Sequence, residues 1–428
     1  MSSFNRRLFL KGLGLASASA ALPNIALGGK PVEAISHGGK LTPADFASED
    51  DFWFYIQQSF TLSPFLINLN NGGVSPAPKT VQDAMKRYYD LVNEAPSYYM
   101  WRVLDQGRES LRSGLAKMAG CNHEEIAMNR NATEGLETII FGLQLKAGDE
   151  VVLSKQDYVH VIYAWKQRAL RDGIKLVWVD LQLPSDDEDY LVQQYVKAFS
   201  PRTKVVTVTH VINWNGQILP VRKIADEAKK RGIDVLVDGA HSFAQFQFNI
   251  PDLNADYFAT SLHKWLYAPI GTGMLWVRKE KIRDIYPMFA AEQQQEDDIR
   301  KFEHLGTRPF YIEEAIGKAI EFNDMIGAER KEKRLHYLKN YWMERVQHIP
   351  KVQLATSLKP KWGCAIGMIA IEGMKPGDLD AYLFNNYKIH TTTIVWEGIS
   401  GVRITPNVYT TTKQLDLLVE AIIKFAGS

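Results

Sequence analysis

The sequence predicts an α/β protein in which a largely parallel sheet carries helices on both faces. Three observations lead to this fold class. Short β-rich runs alternate with helical stretches between about residues 125 and 280, polar clusters follow several of these runs, and the alternation stops near Gly306. Strands that alternate with helices are typical of parallel sheets, because each connection crosses back over the sheet. The remainder of the chain predicts a smaller C-terminal α+β domain.

The predicted strands are short, apolar and rich in β-branched residues. They cover Glu125–Met128, Glu150–Leu153, Lys175–Val179, Lys204–Thr209, Asp234–Val237, Tyr257–Thr260 and Met274–Arg278. Apolar residues at helical spacing predict the intervening helices. These include Arg102–Ala119, Tyr158–Leu170, Tyr190–Phe199 and Val221–Arg231, with an earlier one after Pro78.

After Gly306 the pattern no longer alternates regularly. A long helical stretch, Phe310–His348, precedes strand-like runs and two further helices. The strand-like runs are Val352–Ala355, Cys364–Ile371 and Gly401–Thr405, and the helices lie near Gly377–Asn386 and from Lys413 onward. We therefore predict a large domain over 66–305 and a small domain over 306–428.

The composition restricts the function classes. The chain has 428 residues, 46% of them hydrophobic, which is enough for two domains and a large core. Lys plus Arg number 50 against 49 for Asp plus Glu, so no bulk charge indicates a nucleic-acid partner. The two cysteines, Cys121 and Cys364, are too few for a disulfide framework, and no spacing of histidines or cysteines predicts a metal site.

The N-terminus is predicted to be an export signal and not part of the fold. Arg6 and Arg7 precede Leu8-Phe9-Leu10-Lys11 and a short apolar run that ends in Ala and Ser. This order resembles a twin-arginine signal peptide, predicted over 1–28, and implies the twin-arginine translocase as a partner and a periplasmic location. The apolar run is too short to be a stable membrane anchor, although an amphipathic N-terminal anchor is an alternative. Residues 29–65 are predicted to form a linker and an N-terminal arm.

Polar clusters follow five of the predicted strands. Because ligands of such sheets bind outside the carboxyl ends of the strands, we expect these clusters to converge on one edge. The clusters are Asn131–Glu134, Ser154–Tyr158, His210–Asn213, Asp238–His241 and Ser261–Lys264.

Lys264 lies between Ser261-Leu262-His263 and the turn Gly271-Thr272-Gly273. A lysine forms a Schiff base with an aldehyde when its surroundings lower its pKa, although a surface lysine in a loop has the same local sequence. Asp238 ends an apolar strand, where a carboxylate caps a turn or faces a cationic partner such as a protonated ring nitrogen.

Thr133 is predicted to cap the helix that follows the first strand of the alternating region. The free N–H groups of such a helix start favour a phosphate, although an ordinary capped helix is equally compatible with the sequence. A lysine, an acid and a phosphate-binding helix start are together the parts required by pyridoxal 5′-phosphate (PLP).

The chain resembles the class V aminotransferases of PLP fold type I, and most of all the branch that contains isopenicillin N epimerase. The resemblance runs from Ile67-Asn68-Leu69-Asn70-Asn71-Gly72-Gly73 to Gly401-Val402-Arg403-Ile404. The most specific stretch is His263-Lys264-Trp265-Leu266-Tyr267-Ala268-Pro269-Ile270-Gly271-Thr272-Gly273. The resemblance implies a seven-stranded, mostly parallel sheet with a small C-terminal domain.

The resemblance also implies roles for individual residues. Lys264 would carry the cofactor as a Schiff base, Asp238 would pair with the pyridine nitrogen, and Tyr158 would stack on the ring. The implied phosphate ligands are Ala132, Thr133, Ser261 and His263, with Thr307 reaching the phosphate of a neighbouring subunit in a homodimer. Asn213 and His241 would lie near the ring hydroxyl, and Arg403 and Asn71 would bind the substrate.

The sequence departs from the cysteine desulfurases of the same family. Those enzymes present a reactive cysteine before the arginine that matches Arg403, whereas no cysteine occurs between Asp378 and Arg403. Persulfide chemistry on a protein thiol is therefore not expected, but a C–S lyase that needs no cysteine remains compatible.

We expect an enzyme acting on the amino group of a small-molecule substrate, by epimerisation, transamination, elimination or oxidative chemistry. Export favours a secreted metabolite, and PLP enzymes that tailor pyoverdine-type siderophores in the periplasm share the combination of signal and fold. The alternative from another class is a non-catalytic PLP-binding protein, which the presence of both Lys264 and Arg403 disfavours.

Overall fold

The computed structural model describes residues 50–427. The predicted signal peptide, 1–28, and most of the predicted linker lie outside the described residues. Within the described part, the N-terminal arm contains a helix, α1 (Asp50–Gln58).

Apart from β1, the strands of the large domain agree with the predicted runs to within one or two residues. In chain order they are β1 (Ile67–Asn68), β2 (Ile126–Asn129), β3 (Glu150–Ser154), β4 (Lys175–Val179), β5 (Thr203–Thr209), β6 (Asp234–Asp238), β7 (Tyr257–Ser261), β8 (Gly273–Val277), β9 (Val352–Leu354), β10 (Gly367–Ile371), β11 (Ile389–His390), β12 (Thr392–Trp396) and β13 (Ile399–Ile404).

The helices fill the connections between these strands. After α1 they are α2 (Lys79–Glu94), α3 (Asp105–Ala119), α4 (Ala132–Gly142), α5 (Val159–Asp172), α6 (Glu188–Ala198), α7 (Val221–Lys229), α8 (Phe310–Glu314), α9 (Ile316–Ile326), α10 (Ala328–Val346), α11 (Pro376–Tyr387) and α12 (Thr412–Ala426).

The large domain is built on a seven-stranded sheet with the order β2-β8-β7-β6-β5-β3-β4. The neighbours from β7 to β4 run parallel, while β8 is antiparallel to both β7 and β2. The mostly parallel sheet is therefore confirmed, with β8 as its one reversed strand because it follows β7 directly through the Lys264 loop.

Both faces of this sheet are covered, which explains why its strands read as continuous apolar runs. In β6, Val235 and Val237 join the core on one face, where α7 contributes Ile224. Leu236 points to the other face and joins the core that contains Leu136 of α4 and residues of α5.

Two predicted helices have different boundaries in the structure. The helix predicted from Arg102 begins as α3 at Asp105, because a π-helical segment, Tyr99–Leu104, precedes it. The single long helix predicted after Phe310 is divided into α8, α9 and α10. Gly327, with φ of 86°, separates α9 from α10, a backbone conformation that glycine adopts without a steric penalty.

The smaller domain contains an antiparallel sheet with the order β12-β13-β10-β9. Sequence patterning did not predict β12, which forms a hairpin with β13 through the turn Glu397–Gly398, nor the short parallel pair β1–β11. The β1–β11 pair joins the start of the large domain to the small one, and so places the Asn68–Gly73 segment beside β13.

No helix among residues 50–427 combines the length and the apolar character needed to cross a membrane.

Candidate active site

The polar clusters converge on a cavity of about 220 Å³ at the carboxyl ends of β5, β6 and β7. Every one of the five predicted clusters contributes to its wall. The lining residues are Gly73, Asn131, Ala132, Thr133, Leu136, Tyr158, Thr209, Val211, Asn213, Asp238, Ala240, His241, Ser261, His263 and Lys264.

Lys264 enters the cavity from the loop that follows β7. Its Nζ lies 2.9 Å from Nε2 of His241. Burial lowers the pKa of Lys264 to about 8, and the positive charge of Arg403 acts in the same direction while Asp238 opposes it. A lysine with this pKa is partly neutral near pH 7, so its amine is available as a nucleophile or a base.

The loop that carries Lys264 packs against a second lysine, Lys331, which is fully buried. Lys331 donates hydrogen bonds to the carbonyl oxygen of Trp265 and, at 2.8 Å, to Oδ1 of Asn323. Its Nζ also lies 4.2 Å from the ring centroid of Tyr267, whose φ of 64° marks the tight turn of the loop. These contacts hold the backbone that directly follows Lys264, and Lys331 does not line the cavity.

Asp238 is the last residue of β6, and only 3% of it is exposed. The backbone N–H of Ala240 donates to its Oδ1 at 2.9 Å. Burial raises the pKa of Asp238, while this hydrogen bond and the charge of Lys264 lower it. The following glycine is required sterically, because a Cβ at Gly239 would lie 1.9 Å from Cζ of Phe258.

The opposite end of the cavity is the start of α4. The N-cap is Asn131, which accepts a hydrogen bond from the N–H of Glu134 at 2.9 Å. The prediction of Thr133 as the cap is therefore wrong, and Thr133 lies instead in the first turn, beside the cavity. Ser261 Oγ accepts a hydrogen bond from the N–H of Ala132 at 3.0 Å and so ties β7 to this helix start.

A close backbone approach brings the helix start near β8. A Cβ at Gly273 would lie 2.3 Å from Oδ1 of Asn129 and 2.6 Å from the backbone of Asn131. Only a glycine fits there, and the Gly271-Thr272-Gly273 turn therefore shapes the end of the cavity at the start of α4.

His263 lies beside this end, and its Nδ1 is 3.0 Å from the carbonyl oxygen of Thr272. Burial lowers the pKa of His263, with Lys264 acting in the same direction. A neutral ring whose Nδ1–H donates to that carbonyl leaves Nε2 as an acceptor. Thr307 is exposed and does not line this cavity.

Two buried polar atoms next to Lys264 have no partner among the described residues. They are Nδ1 of His241 and Oδ1 of Asn213. Buried polar atoms are normally hydrogen-bonded, so unpaired ones that face a cavity indicate a missing polar ligand. Burial also lowers the pKa of His241 well below its ordinary value, which makes the ring neutral beside Lys264.

Arg403 of β13 lies at the boundary between the two domains. Its Nη1 donates to the carbonyl oxygen of Asn213 at 2.7 Å and its Nη2 to Oδ1 of Asn70 at 3.0 Å, while its Nε has no partner within residues 50–427. Burial lowers its pKa to about 10. Neither of its bonded partners is an anion, so a carboxylate ligand would supply the missing countercharge.

Asn71 is not arranged to bind substrate. It is fully buried, and its Nδ2 donates to the carbonyl oxygens of Asn68 and Thr405 at 3.2 and 2.8 Å. Its Oδ1 accepts from Asn68 and from the hydroxyl of Tyr409. All its hydrogen-bonding capacity is used within the fold, and Asn70 is the residue of this pair that reaches Arg403.

Tyr158 forms the aromatic wall of the cavity. It precedes α5 directly, and its ring centroid lies 6.2 Å from that of Trp214. Trp214 in turn stacks on Trp396, with 5.3 Å between centroids and an angle of 27° between planes. Sequence patterning missed both tryptophans, because they lie 182 positions apart (396 minus 214) and only the folded chain joins them.

The residues present fit PLP. The cavity offers an amine with a lowered pKa, a buried carboxylate without a bonded cationic partner among the described residues, the first turn of a helix and an aromatic wall. Lys264 would hold the aldehyde carbon, Asp238 the ring nitrogen, and the α4 start with Ser261 the phosphate. The fold and this site define a PLP-dependent enzyme of fold type I.

The chain belongs to the aminotransferase class-V family, whose sequence profile matches residues 67–416. Isopenicillin N epimerase from Streptomyces clavuligerus is 26% identical over 395 residues, which cover 88% of this chain and 98% of the relative. A probable cysteine desulfurase from Halalkalibacterium halodurans is 28% identical over 345 residues, covering 77% of this chain and 83% of that protein.

Solved structures share the fold at lower identity. A variant of C-DES with glycine covalently linked to its PLP cofactor superposes with a TM-score of 0.76 at 20% identity, covering 87% of this chain and 99% of that one. The cysteine desulfurase of Thermococcus onnurineus gives a TM-score of 0.75 at 23% identity, with 87% and 98% covered. The fold class predicted from the sequence is thereby confirmed.

Neither cysteine of the chain reaches the cavity. Cys364 is 1% exposed within the core, where burial raises the pKa of its thiol well above the ordinary value. Burial also raises the pKa of Cys121 to about 12. Both thiols are therefore protonated and inert near neutral pH.

Proposed function

We propose that this enzyme moves a proton at the α-carbon of an amino acid or of a peptide-like substrate that carries a free amino group and a carboxylate. The observation that carries the proposal is Arg403. It is a buried guanidinium that, among the residues the structure describes, has no partner at Nε and only neutral oxygens at its Nη atoms. A substrate carboxylate bound there would bring the neighbouring amino group and α-carbon toward Lys264.

Each residue of the cavity has a separate role in this proposal. Lys264 removes and returns the α-proton, because its lowered pKa leaves a neutral fraction near pH 7. PLP supplies the electron sink for the carbon that loses this proton. Asp238 would hold the ring nitrogen in its protonated form, and Tyr158 would cover one face of the ring and exclude water from it.

Epimerisation is the first reaction class that we propose, since the chain resembles isopenicillin N epimerases along most of its length. Transamination and elimination begin with the same proton removal and remain alternatives. A C–S lyase that uses no protein thiol is the elimination that we consider, because the inert positions of Cys121 and Cys364 disfavour a persulfide on the enzyme.

We also propose that the enzyme is exported through the twin-arginine pathway and acts in the periplasm. The support is Arg6-Arg7-Leu8-Phe9-Leu10-Lys11 ahead of a short apolar run. A substrate outside the cytoplasm would be a secreted peptide or a related metabolite, with tailoring of a pyoverdine-type siderophore as one form of this proposal.

We also propose that the enzyme forms a homodimer in which Thr307 reaches the site of the partner subunit. Thr307 is exposed at the end of a segment that is firmly held, since Glu303 in that segment accepts from Arg112 Nη1 at 2.7 Å and from the N–H of Met128 at 2.6 Å. Ile270 and Tyr286 are 68% and 67% exposed, which provides apolar surface for a partner subunit.

The test follows the α-proton directly. Purified holoenzyme is incubated in D₂O with a panel of amino acids and short peptides, and deuterium at the α-carbon is followed by NMR. Substrates should exchange this hydrogen, and chiral analysis of the products then separates epimerisation from transamination and elimination. Lys264→Ala should abolish the exchange.

Arg403→Lys is the matched variant, since it keeps the charge but cannot form the same planar fork. Breaking a buried, hydrogen-bonded charge pair costs about 2 kcal/mol or more, so KM should rise about 30-fold or more while cofactor absorbance persists. Exchange in the Lys264→Ala variant at the wild-type rate, or an unchanged KM in Arg403→Lys, would refute the proposed roles.

A further inference from the structure

A second buried carboxylate lies beneath the cavity and has no part in the roles described so far. Asp157 immediately precedes Tyr158 and is 0% exposed. Its Oδ2 accepts from the backbone N–H of Ser154 at 3.0 Å, and its Oδ1 accepts from the hydroxyl of Thr209 at 2.8 Å. No lysine, arginine or histidine among the described residues forms an ion pair with it, so its charge is not neutralised.

Thr209 connects this acid to the cofactor cavity. It is the last residue of β5, it lines the cavity, and it pairs in register with Asp238 on the adjacent strand β6. Asp157, the Thr209 hydroxyl and Asp238 therefore lie together at neighbouring strand ends, with the hydroxyl between the buried acid and the cavity.

Two carboxylates that are both buried at adjacent strand ends resist being charged together. Burial raises the pKa of Asp157 to about 7, although the hydrogen bonds from Thr209 and Ser154 lower it, and the charge of Asp238 adds a smaller rise. Asp238 carries a negative charge when it pairs with a protonated ring nitrogen. Asp157 is then the acid of the two that holds a proton.

The other groups that face Asp157 do not gain or lose a proton near neutral pH. Ser154 on β3 and Thr209 on β5 do not titrate in this range. Tyr195 on α6 is fully buried, and burial raises its pKa well above the ordinary value, so it stays neutral. Asp157 and Asp238 are the acids at this position.

We propose that Asp157 is a positioning residue that sets the direction of the Thr209 hydroxyl, and thereby whether the cavity floor offers a donor or an acceptor next to the cofactor. When Asp157 is ionised, Thr209 donates to it and turns oxygen lone pairs toward the cavity. When Asp157 takes a proton from solvent, it donates to Thr209 Oγ1, and the threonine hydrogen is free to point into the cavity.

Infrared spectroscopy of the holoenzyme reports the proton on Asp157 without any assay of activity. The carbonyl stretch of a protonated, buried carboxyl should be present at pH 5, decline with a midpoint near 7 and vanish in Asp157→Asn. Labelling the wild type with ¹³C-aspartate should shift the band, which keeps the test valid if the variant folds poorly. Asp238→Asn should lower the midpoint, because a neighbouring negative charge has been removed.

The visible spectrum of the bound cofactor reports the Thr209 hydroxyl. It should contain a component that titrates together with the infrared band. Thr209→Val should keep the band but lose this spectral component, since valine has the shape of threonine without the hydroxyl. Asp187→Asn is the matched control: Asp187 also accepts a backbone N–H, from Tyr190 at 2.9 Å, but it is exposed on α6 and should change neither signal.

A purely structural role of Asp157 would give different results in these experiments. If Asp157 only fastens its loop, Asp157→Asn will lower the melting temperature and leave the pH dependence of the cofactor spectrum as in the wild type. That result overturns the proposal, as does a wild-type enzyme with no aspartic acid band between pH 5 and 9, or a Thr209→Val variant that keeps the titrating spectral component.

Discussion

At the scale of single residues, the cavity is organised by buried charges that lack their usual partners. In the described part of the chain, Arg403 has no bonded anion, Asp238 has no bonded cation, and Lys264 is hydrogen-bonded to a neutral histidine. Such groups cost free energy in an empty site, and binding a ligand of the complementary charge recovers it. The site is therefore arranged for a ligand with both an anionic and a cationic part.

The pH dependence of cofactor capture tests this arrangement at Lys264. Only a neutral amine attacks an aldehyde, so covalent capture of PLP by the cofactor-free enzyme should rise with pH and reach half its maximum near pH 8. An ordinary lysine, with a pKa of about 10.4, would need a pH roughly two units higher. Borohydride trapping at timed intervals measures the rate.

Neighbouring charges should move this midpoint in opposite directions. Arg403→Gln removes a positive charge that lowers the pKa of Lys264, so the midpoint should rise. Asp238→Asn removes a negative charge that raises it, so the midpoint should fall. Midpoints that stay together near pH 10 would show that the lysine is not perturbed by these groups.

At the scale of elements, a single residue at the start of α4 affects both the helix and the cavity. Asn131 caps the helix by accepting from the N–H of Glu134, while Ala132 and Thr133 expose the first turn to the cavity. The cap thus stabilises the helix and also holds the N–H groups that we expect to bind the phosphate.

A comparison of Asn131→Ala with loss of the cap of another helix should separate the effect on helix stability from the effect on PLP binding. Loss of the cap should lower the free energy of unfolding by about 1 kcal/mol. Asp187→Ala removes the equivalent cap of α6 and should cost a similar amount. Only Asn131→Ala should also raise the Kd for PLP, measured by fluorescence titration, and equal Kd values in the two variants would contradict a phosphate site at α4.

The β12–β13 hairpin shows how the two domains are joined beside the cavity. Trp396 donates through Nε1 to the carbonyl oxygen of Lys155 at 3.0 Å, and Gln156 Nε2 donates to the carbonyl oxygen of Glu397 at 3.1 Å. Trp214 donates to the carbonyl oxygen of Gln156 at 2.9 Å. These bonds hold the segment just before Asp157 and Tyr158, and so couple the small domain to the cavity wall.

At the scale of the whole molecule, export should require both arginines of the predicted signal. A folded chain carries its cofactor across the membrane, whereas an unfolded one would have to find PLP outside the cytoplasm. Wild-type protein should fractionate with the periplasm, shortened by about 15–30 residues. The Arg6→Lys, Arg7→Lys double variant should remain in the cytoplasm, soluble and active.

Lys11→Arg, which preserves both arginines, serves as the control and should be exported. Normal export of the double variant, or full-length wild type in the cytoplasm, would remove the basis for a secreted substrate. The assignment of PLP and of the site would be unaffected by that result.

Subunit mixing tests the proposed homodimer. If Thr307 completes the site of the partner subunit, each site combines Lys264 of one chain with Thr307 of the other. A mixed dimer of Lys264→Ala and Thr307→Ala chains would then contain one site with both residues intact. That site should bind PLP with wild-type affinity, whereas neither parent homodimer should. No recovery on mixing would place Thr307 outside the partner's site.

The sequence alone determined the features that depend on local pattern. Apolar runs of five to seven residues, such as β3 and β5, are buried on both faces and are visible without knowledge of their neighbours. Lys264, Asp238 and the α4 start were found because each follows a recognisable strand, and strand ends of a parallel sheet meet at one edge.

Tertiary structure decided which side chains meet. Asn70 and Asn71 are adjacent in sequence, yet β1–β11 pairing turns one toward Arg403 and encloses the other among Asn68, Thr405 and Tyr409. Asp157 became an acid of interest only when Thr209 and Asp238 were placed beside it, because burial and a neighbouring charge raise its pKa. Periodicity reports interactions within a few residues, whereas partner choice, burial and pKa depend on contacts between distant parts of the chain.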